Sequence, residues 1–217
     1  MSMEVIVLGA GGHSKVAIET ASKCGYIVTA VFDDDETIIG SKCLGVPIIG
    51  RIADLDSALE GLAFVAIGNN RIRKKIAQRF TKITWTSFIH PVSYVSEHAQ
   101  IGRGTLIGAG VVIQPDTKIG AHSIINTGST VDHDCMIGDF SHICPGAHLA
   151  GGVVIGEGTM IGIGASIIPL KKVGSWSTVG AGAVVVKDVP DNITAIGVPA
   201  RIIRESRIRT AKRPRKA

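Results

Sequence analysis

Rings are scarce in this chain: five Phe, two Trp and two Tyr among 217 residues. A core built on bulky aromatics is thereby excluded, and a narrow core of aliphatic and small side chains is expected. No apolar run approaches the roughly 20 residues of a membrane span, so no stable membrane insertion is expected. No secretory leader is expected either, since Glu4 precedes a short strand-like run. Cys24, Cys43, Cys135 and Cys144 show no paired spacing, which argues for reduced thiols in a cytoplasmic protein. Outside the end of the chain, positive charge is also lacking. Residues 201–217 hold eight Lys and Arg against Glu205, a balance of +7 that leaves the remainder at −2 of the total +5. No aromatic interleaves those charges, so a solvated, frayed terminus is expected rather than a nucleic-acid surface, with at most weak attraction to anionic lipid or ligand.

What the chain has instead is a period of six. Seventeen successive positions at that spacing are aliphatic: Ile89, Val95, Ile101, Ile107, Ile113, Ile119, Ile125, Val131, Ile137, Ile143, Leu149, Ile155, Ile161, Ile167, Val173, Val179 and Val185. Four residues after nearly every one lies a small residue such as Ala99, Thr105, Ser123, Cys135 or Ala165, with Lys171 as the exception. Neither an amphipathic helix nor strand alternation has that period, so it reads as a stacked coil. Each hexad supplies one flat side of a prism, and three sides make a coil of eighteen residues, five to six coils over about 97 residues. The aliphatic residue points inward, while small residues and glycines (Gly102, Gly108, Gly120, Gly138, Gly156, Gly162, Gly174, Gly180) are expected to permit tight corners. The pattern resembles the left-handed parallel β-helix of the hexapeptide acyltransferases. Its handedness is implied by that resemblance alone, because the general preference for right-handed crossovers points the other way.

The first 85 residues have another rhythm. Glu4–Leu8 is a buried-strand run, followed by Gly9-Ala-Gly-Gly-His-Ser-Lys15 and a helical pattern through Val16, Ile18, Ala21 and Cys24. A second strand, Ile27 to Phe32, ends at Asp33-Asp34-Asp35; a third run, Leu62 to Ile67, ends at Gly68-Asn69-Asn70 and enters a charged helix from Arg71 to Phe80. Strand, glycine turn, helix, strand, acid is the outline of a nucleotide-binding βαβ unit. Ser14 stands where a third glycine would belong, so the loop argues for anion binding at a helix start rather than for a dinucleotide in particular. A tight turn with no ligand is the alternative; His13 and Lys15, both able to donate to an anion, weigh against it. The organisation is therefore an α/β N-terminal nucleotide-binding βαβ domain (1–85), a left-handed parallel β-helix (86–190), and a C-terminal segment with a basic tail (191–217), with Thr81 to Phe88 as the junction.

Three of the seven histidines, His133, His142 and His148, fall in one window of the coil stack. His133 lies two places beyond a core position, close to a corner, so its ring should face outward. Asp132 and Asp134 flank it, and a carboxylate can fix an imidazole tautomer and raise its basicity. An exposed histidine between two solubilising acids is the plainer reading. Zinc is not expected: His142 and His148 are one hexad apart, on neighbouring faces, and would diverge rather than share an ion. Cys135 occupies a small-residue position and should point inward as a structural residue.

The segments Gly9–Lys15, Phe32–Asp34, Ala66–Lys75, Asn126-Thr127, Val131-Asp-His-Asp-Cys135, Ile137–His142 and Gly197-Val-Pro-Ala-Arg201 closely resemble the bacterial sugar acyltransferases of the PglD and NeuD type, from about residue 3 to residue 204. That resemblance implies a homotrimer with each active site between two subunits. It implies a nucleotide-linked amino sugar held through Gly11, Gly12, His13, Asp33, Asp34 and Gly68. It implies acetyl-CoA lying along the coils near His142, Gly151, Ile163 and Ala181, with Ala181 replacing a glycine of the family pattern. The catalytic base falls on His133, strengthened by Asp134, one methylene shorter than the glutamate of the best-known member. No metal is implied.

The expected reaction is then N-acetylation of a UDP-, dTDP- or GDP-linked 4-amino-dideoxy sugar by direct transfer from the thioester. O-acetylation of sialic acid or a related sugar is the enzymatic alternative, and a non-catalytic nucleotide-sensing scaffold is the alternative outside enzymes. A dehydrogenase fits less well, because the first domain is short and its glycine motif incomplete.

Overall fold

The structure, a computed structural model, describes residues 3–203. The amino-terminal part is a six-stranded sheet: β1 (Met3–Leu8), β2 (Tyr26–Phe32), β3 (Lys42–Cys43), β4 (Val46–Gly50), β5 (Gly61–Val65) and β6 (Ile83–Trp85). Its order is β3-β4-β2-β1-β5-β6, parallel except for the β3–β4 hairpin. Helix α1 (Gly12–Lys23) follows the glycine turn and stops where Gly25 takes φ +83. Helix α2 (Asn70–Arg79) starts where the Asn69 side chain accepts from Ile72 N at 3.0 Å. The βαβ outline is as expected, with two additions. The β3–β4 hairpin turns through Leu44 and Gly45, both at positive φ, and the stretch expected as a junction carries β6, which extends the sheet alongside β5.

Beyond it the chain winds into coils. Each two-residue strand pairs in parallel with the one 18 residues on, Leu106 with Ile124, Val112 with Thr130, Lys118 with Met136. Three faces result, the first through Phe88, Leu106, Ile124, His142 and Met160, the second through Tyr94, Thr130 and His148, the third through Gln100, Met136 and Val154. In each strand the hexad aliphatic points in, and Ile107 through Val185 form one continuous core. Ile89 is 40% exposed because it opens the stack and no coil lies beneath it. A hydroxyl ladder runs up one corner: Thr105, Ser123 and Ser141 each donate to the carbonyl 15 residues on, at 2.9 to 3.0 Å, while Ser123 and Ser141 N–H donate back to the hydroxyl one coil below.

The corners correct one expectation. Every sixth residue from Gly104 to Gly182 has positive φ, whether glycine or not. The glycines singled out from the hexad pattern lie elsewhere in the turn, where successive coils nearly touch. A Cβ at Gly102 would stand 2.4 Å from Ala121 N, so those positions are small because of crowding, not because of left-handed backbone.

On the first face the outward residues Phe88, Leu106 and Ile124 are fully buried, because β1, α1 and Phe64 pack against them. The next outward residue on that ladder is His142, where the apolar seam ends. Arg201–Ile203, expected to fray with the basic tail, instead pair antiparallel with Thr194–Ile196; the rest of that tail lies outside the described residues. No helix among the described residues is long and apolar enough to cross a membrane.

Candidate active site

All six positions assigned to the nucleotide, Gly11, Gly12, His13, Asp33, Asp34 and Gly68, line one cleft of about 400 Å³. Ile52, Ala66, Ile67, Ile72 and Ile76 complete its wall, so an apolar slot is bordered by polar groups. Gly11 caps α1 with no side-chain hydrogen bond, and the exposed Gly11 and Gly12 leave room around the first turn. Free backbone N–H groups there suit a diphosphate. The two acids also shape the cleft: Asp33 accepts from Ala10 N at 2.6 Å and Asp35 N at 2.9 Å, and Asp34 accepts from Ala53 N at 2.8 Å. Asp33 thus fixes the glycine turn against the end of β2.

At the cleft's edge His13 meets the coils, its ring centroid 6.4 Å from that of His142. Asn126 Oδ1 accepts from Thr127 N at 2.9 Å, which leaves Asn126 Nδ2 to donate to His142 Nε2 at 3.1 Å. The Gly68 backbone also faces the His142 ring. Burial first, and the nearby Arg73 cation second, push both His13 and His142 down to about 4, so both are neutral at physiological pH. His13 Nε2 is buried without a hydrogen-bond partner.

His133 is built differently. It stands at the corner between the second and third faces, 61% exposed, with Nδ1 2.7 Å from Asp134 Oδ2. Asp132, the other flanking acid, turns to the backbone and accepts from His133 N at 2.9 Å. The Asp134 hydrogen bond, with smaller help from the charge of Asp132, raises the imidazole above its ordinary 6.5. Nε2 is left as the free nitrogen. Gly151, one coil on, lies flat beneath the ring: a Cβ there would stand 2.6 Å from His133 Cε1.

These groups do not all meet within one chain. The cleft and His142 belong to the first face, whereas His133, Asp134 and Gly151 occupy the corner opposite that face. Ile163, 61% exposed, and the exposed Ala181 sit at a different corner, between the first and second faces. Cys135 is buried, its thiol raised by that burial and donating to Ala150 O at 3.3 Å. Among the described residues no group of three His, Cys, Asp or Glu is arranged to hold a metal ion.

Sequence reading passed over Arg73 and Asn126. In the sequence Arg73 is one of several cations on the charged helix from Arg71 to Phe80, yet it is 1% exposed. Its signal was position: it follows Gly68-Asn69-Asn70 by one helical turn and falls between Ile72 and Ile76.

Residues 4–80 match the PglD N-terminal domain family, and residues 98–133 match the bacterial transferase hexapeptide family of six repeats. Among solved structures, a variant of perosamine N-acetyltransferase from Caulobacter crescentus, in complex with CoA and GDP-perosamine, is 41% identical. That match covers 93% of this chain and 97% of the other, with a TM-score of 0.87. The acetyltransferase domain of PglB from Neisseria gonorrhoeae, in complex with acetyl coenzyme A, is 40% identical over 94% of this chain and 100% of that one, with a TM-score of 0.85. UDP-N-acetylbacillosamine N-acetyltransferase of Bacillus subtilis is 42% identical over 110 residues, 48% of this chain and 51% of that protein. The chain spans about half the length of the curated acetyltransferases it matches.

Proposed function

The chain belongs to the PglD-type hexapeptide-repeat sugar acyltransferases, and from that premise we propose that it transfers acetyl from acetyl-CoA to the amine of a nucleotide-linked 4-amino-dideoxy sugar. The observation that carries this reading is the convergence of all six nucleotide positions on a single cleft beside the coils. An O-acetyltransferase of a free sugar has no need of that cleft. Relatives named for GDP-perosamine and UDP-N-acetylbacillosamine acetylation support a nucleotide-linked acceptor.

The chemistry follows from the histidines. Asp134 holds the Nδ1 proton of His133, so Nε2 carries the lone pair. As the sugar nitrogen bonds to the thioester carbon, Nε2 takes the proton the nitrogen must lose, and Asp134 steadies the imidazolium. General-base help of this kind contributes roughly 10²–10⁴-fold. The tetrahedral oxyanion then collapses, the carbon–sulfur bond breaks, and CoA leaves as thiolate, reprotonated from the imidazolium or water. His13 and His142, held neutral, are too weakly basic for that role; His13 serves the nucleotide side.

Because His133 and the cleft lie on opposite sides of one prism, we assign each site to two subunits of a homotrimer, the cleft of one facing His133 of the next. Gly151, Ile163 and Ala181, with His142 at the boundary, line the proposed acetyl-CoA path. Reduced thiols at Cys135 and Cys144 fit the cytoplasm.

The test is release of free CoA thiol from acetyl-CoA with GDP- and UDP-linked 4-amino-4,6-dideoxy-hexoses, and with sialic acid in parallel. Release with a nucleotide amino sugar is expected. Release with sialic acid alone would overturn the assignment in favour of O-acetylation.

A further inference from the structure

Arg73 is the only Lys, Arg, Asp or Glu buried among the described residues. Its hydrogen-bond acceptors are all neutral oxygens, and they fall into two sets. On its own side, Nη1 donates to Ile67 O at 2.8 Å and Gly68 O at 3.3 Å, and Nη2 to Asn70 Oδ1 at 2.8 Å. On the coils, Nε donates to His122 O at 2.7 Å, and Nη2 to Phe140 O at 2.8 Å and Ser141 O at 3.2 Å. One guanidinium therefore spans the edge of the cleft and two successive coils.

What it joins is specific. Ile67 and Gly68 line the cleft. Ser141 is the residue before His142, whose Nε2 accepts from Asn126 Nδ2 at 3.1 Å. Arg73 thus ties the Gly68 carbonyl at the cleft's edge to the strand that carries His142. Asn70 Nδ2 reinforces it by donating to Gly158 O at 3.0 Å.

A buried cation facing only dipoles is a costly way to hold two bodies together. The apolar seam of Phe88, Leu106 and Ile124 already supplies adhesion without that penalty. The planar fork adds what apolar packing lacks, which is direction: its five N–H groups accept one relative placement of the two carbonyl sets.

We propose that Arg73 is a positioning residue for acyl transfer, fixing the Ile67–Gly68 edge of the cleft against the strand of His142 and so setting where the acceptor amine meets the catalytic corner. The proposal rests on the function proposed above. Arg73 touches neither substrate directly; it acts through Gly68 and His142. A small error in the amine's placement is sufficient to matter, since a 1 Å misplacement costs about 10²-fold.

The experiment compares wild type with Arg73→Met and Arg73→Lys below their melting temperatures. It measures kcat and KM for the nucleotide amino sugar and acetyl-CoA, affinity for GDP and UDP alone, and amide hydrogen exchange over residues 66–70 and 141–143. For Arg73→Met, kcat should fall about 10²-fold, with KM for acetyl-CoA changed less than kcat and faster exchange at Ala66, whose N–H donates to Leu8 O at 2.8 Å beside the cleft edge. Arg73→Lys, which keeps charge but loses the fork, should recover only part of kcat. A kcat within twofold of wild type in folded Arg73→Met would overturn the proposal. If that variant does not fold, Arg73→Lys decides: wild-type kcat overturns it, and lost kcat at an unchanged melting temperature supports it. Were wild type itself inert, the acetyltransferase reading would fail separately, and unchanged exchange at Ala66 in the variants would still overturn the positioning role.

Discussion

His133 Nδ1 lies 2.7 Å from Asp134 Oδ2, a contact between chain neighbours made possible because Asp134 sits at the left-handed corner position with φ +59. At that corner the backbone folds the carboxylate back beside the preceding ring. Asp and Asn bear left-handed backbone better than most residues, so a corner that most coils fill with glycine here carries the acid we propose to support His133.

The first prediction concerns that pair. Only the neutral imidazole can take a proton, so kcat/KM should rise with pH through a midpoint above 6.5, the side to which Asp134 displaces His133. Asp134→Asn should move the midpoint down toward 6.5 and lower the plateau, while His133→Ala should abolish turnover and leave affinity for both substrates nearly intact. A pH–rate profile of the three proteins checks this. Normal turnover by His133→Ala would remove it as the base.

Gly151 gives a second prediction. Its Cβ would fall 2.6 Å from His133 Cε1, and its φ lies outside the left-handed range, so the backbone accepts alanine. Gly151→Ala should tilt the His133 ring and reduce kcat about 10- to 100-fold. Because the ring is exposed, stability should change by less than about 1 kcal/mol. Kinetics and a melting curve on the same sample separate the two effects.

The buried histidines set acid stability. His13 and His142 are held at about 4 in the folded chain against about 6.5 when unfolded. The unfolded state therefore binds more protons between those values, and stability falls as pH drops from about 6.5 toward 4. His122, stacked on Phe140 at 5.1 Å and also held at about 4, acts in the same direction. The loss should be on the order of 1–3 kcal/mol per histidine. His122→Phe should flatten the fall in melting temperature between pH 7 and 4; an unchanged slope would refute the assignment.

The coil stack was legible because its constraint is local and repeated: every hexad must place one aliphatic residue inward, and Ile107 through Val185 do so without interruption. The glycine turn and its acids were legible for the same reason, each requiring particular residues at fixed spacing. The β3–β4 hairpin was not, since Leu44-Gly45 lacks the Asn-Gly signature of such turns. Arg73 was hidden because its partners are backbone carbonyls of His122, Phe140 and Ser141, which any sequence supplies. The separation of His133 from the cleft was in keeping with the resemblance, which implied a site between two subunits; the residues alone did not tell which coil face the first domain packs against.

That separation yields the last prediction. If each site takes its cleft from one subunit and His133 from the next, two inert variants should rescue one another. His133→Ala keeps the cleft, and a variant with a blocked cleft, such as Gly11→Trp, keeps the base. Denatured together in equal amounts and refolded, they form mixed trimers in which about one interface in four pairs an intact cleft with an intact His133. Roughly a quarter of wild-type activity should return, although neither parent has any. Sites confined to single chains would return none, because every chain carries one lesion. Mixing the same variants without unfolding controls for contamination, and activity after refolding no higher than in that control would exclude the shared-site assignment. Recovery near one quarter after exchange would establish that the corner bearing His133 works against a neighbour's cleft, the arrangement we proposed from the opposite placement of His133 and His142 on the prism.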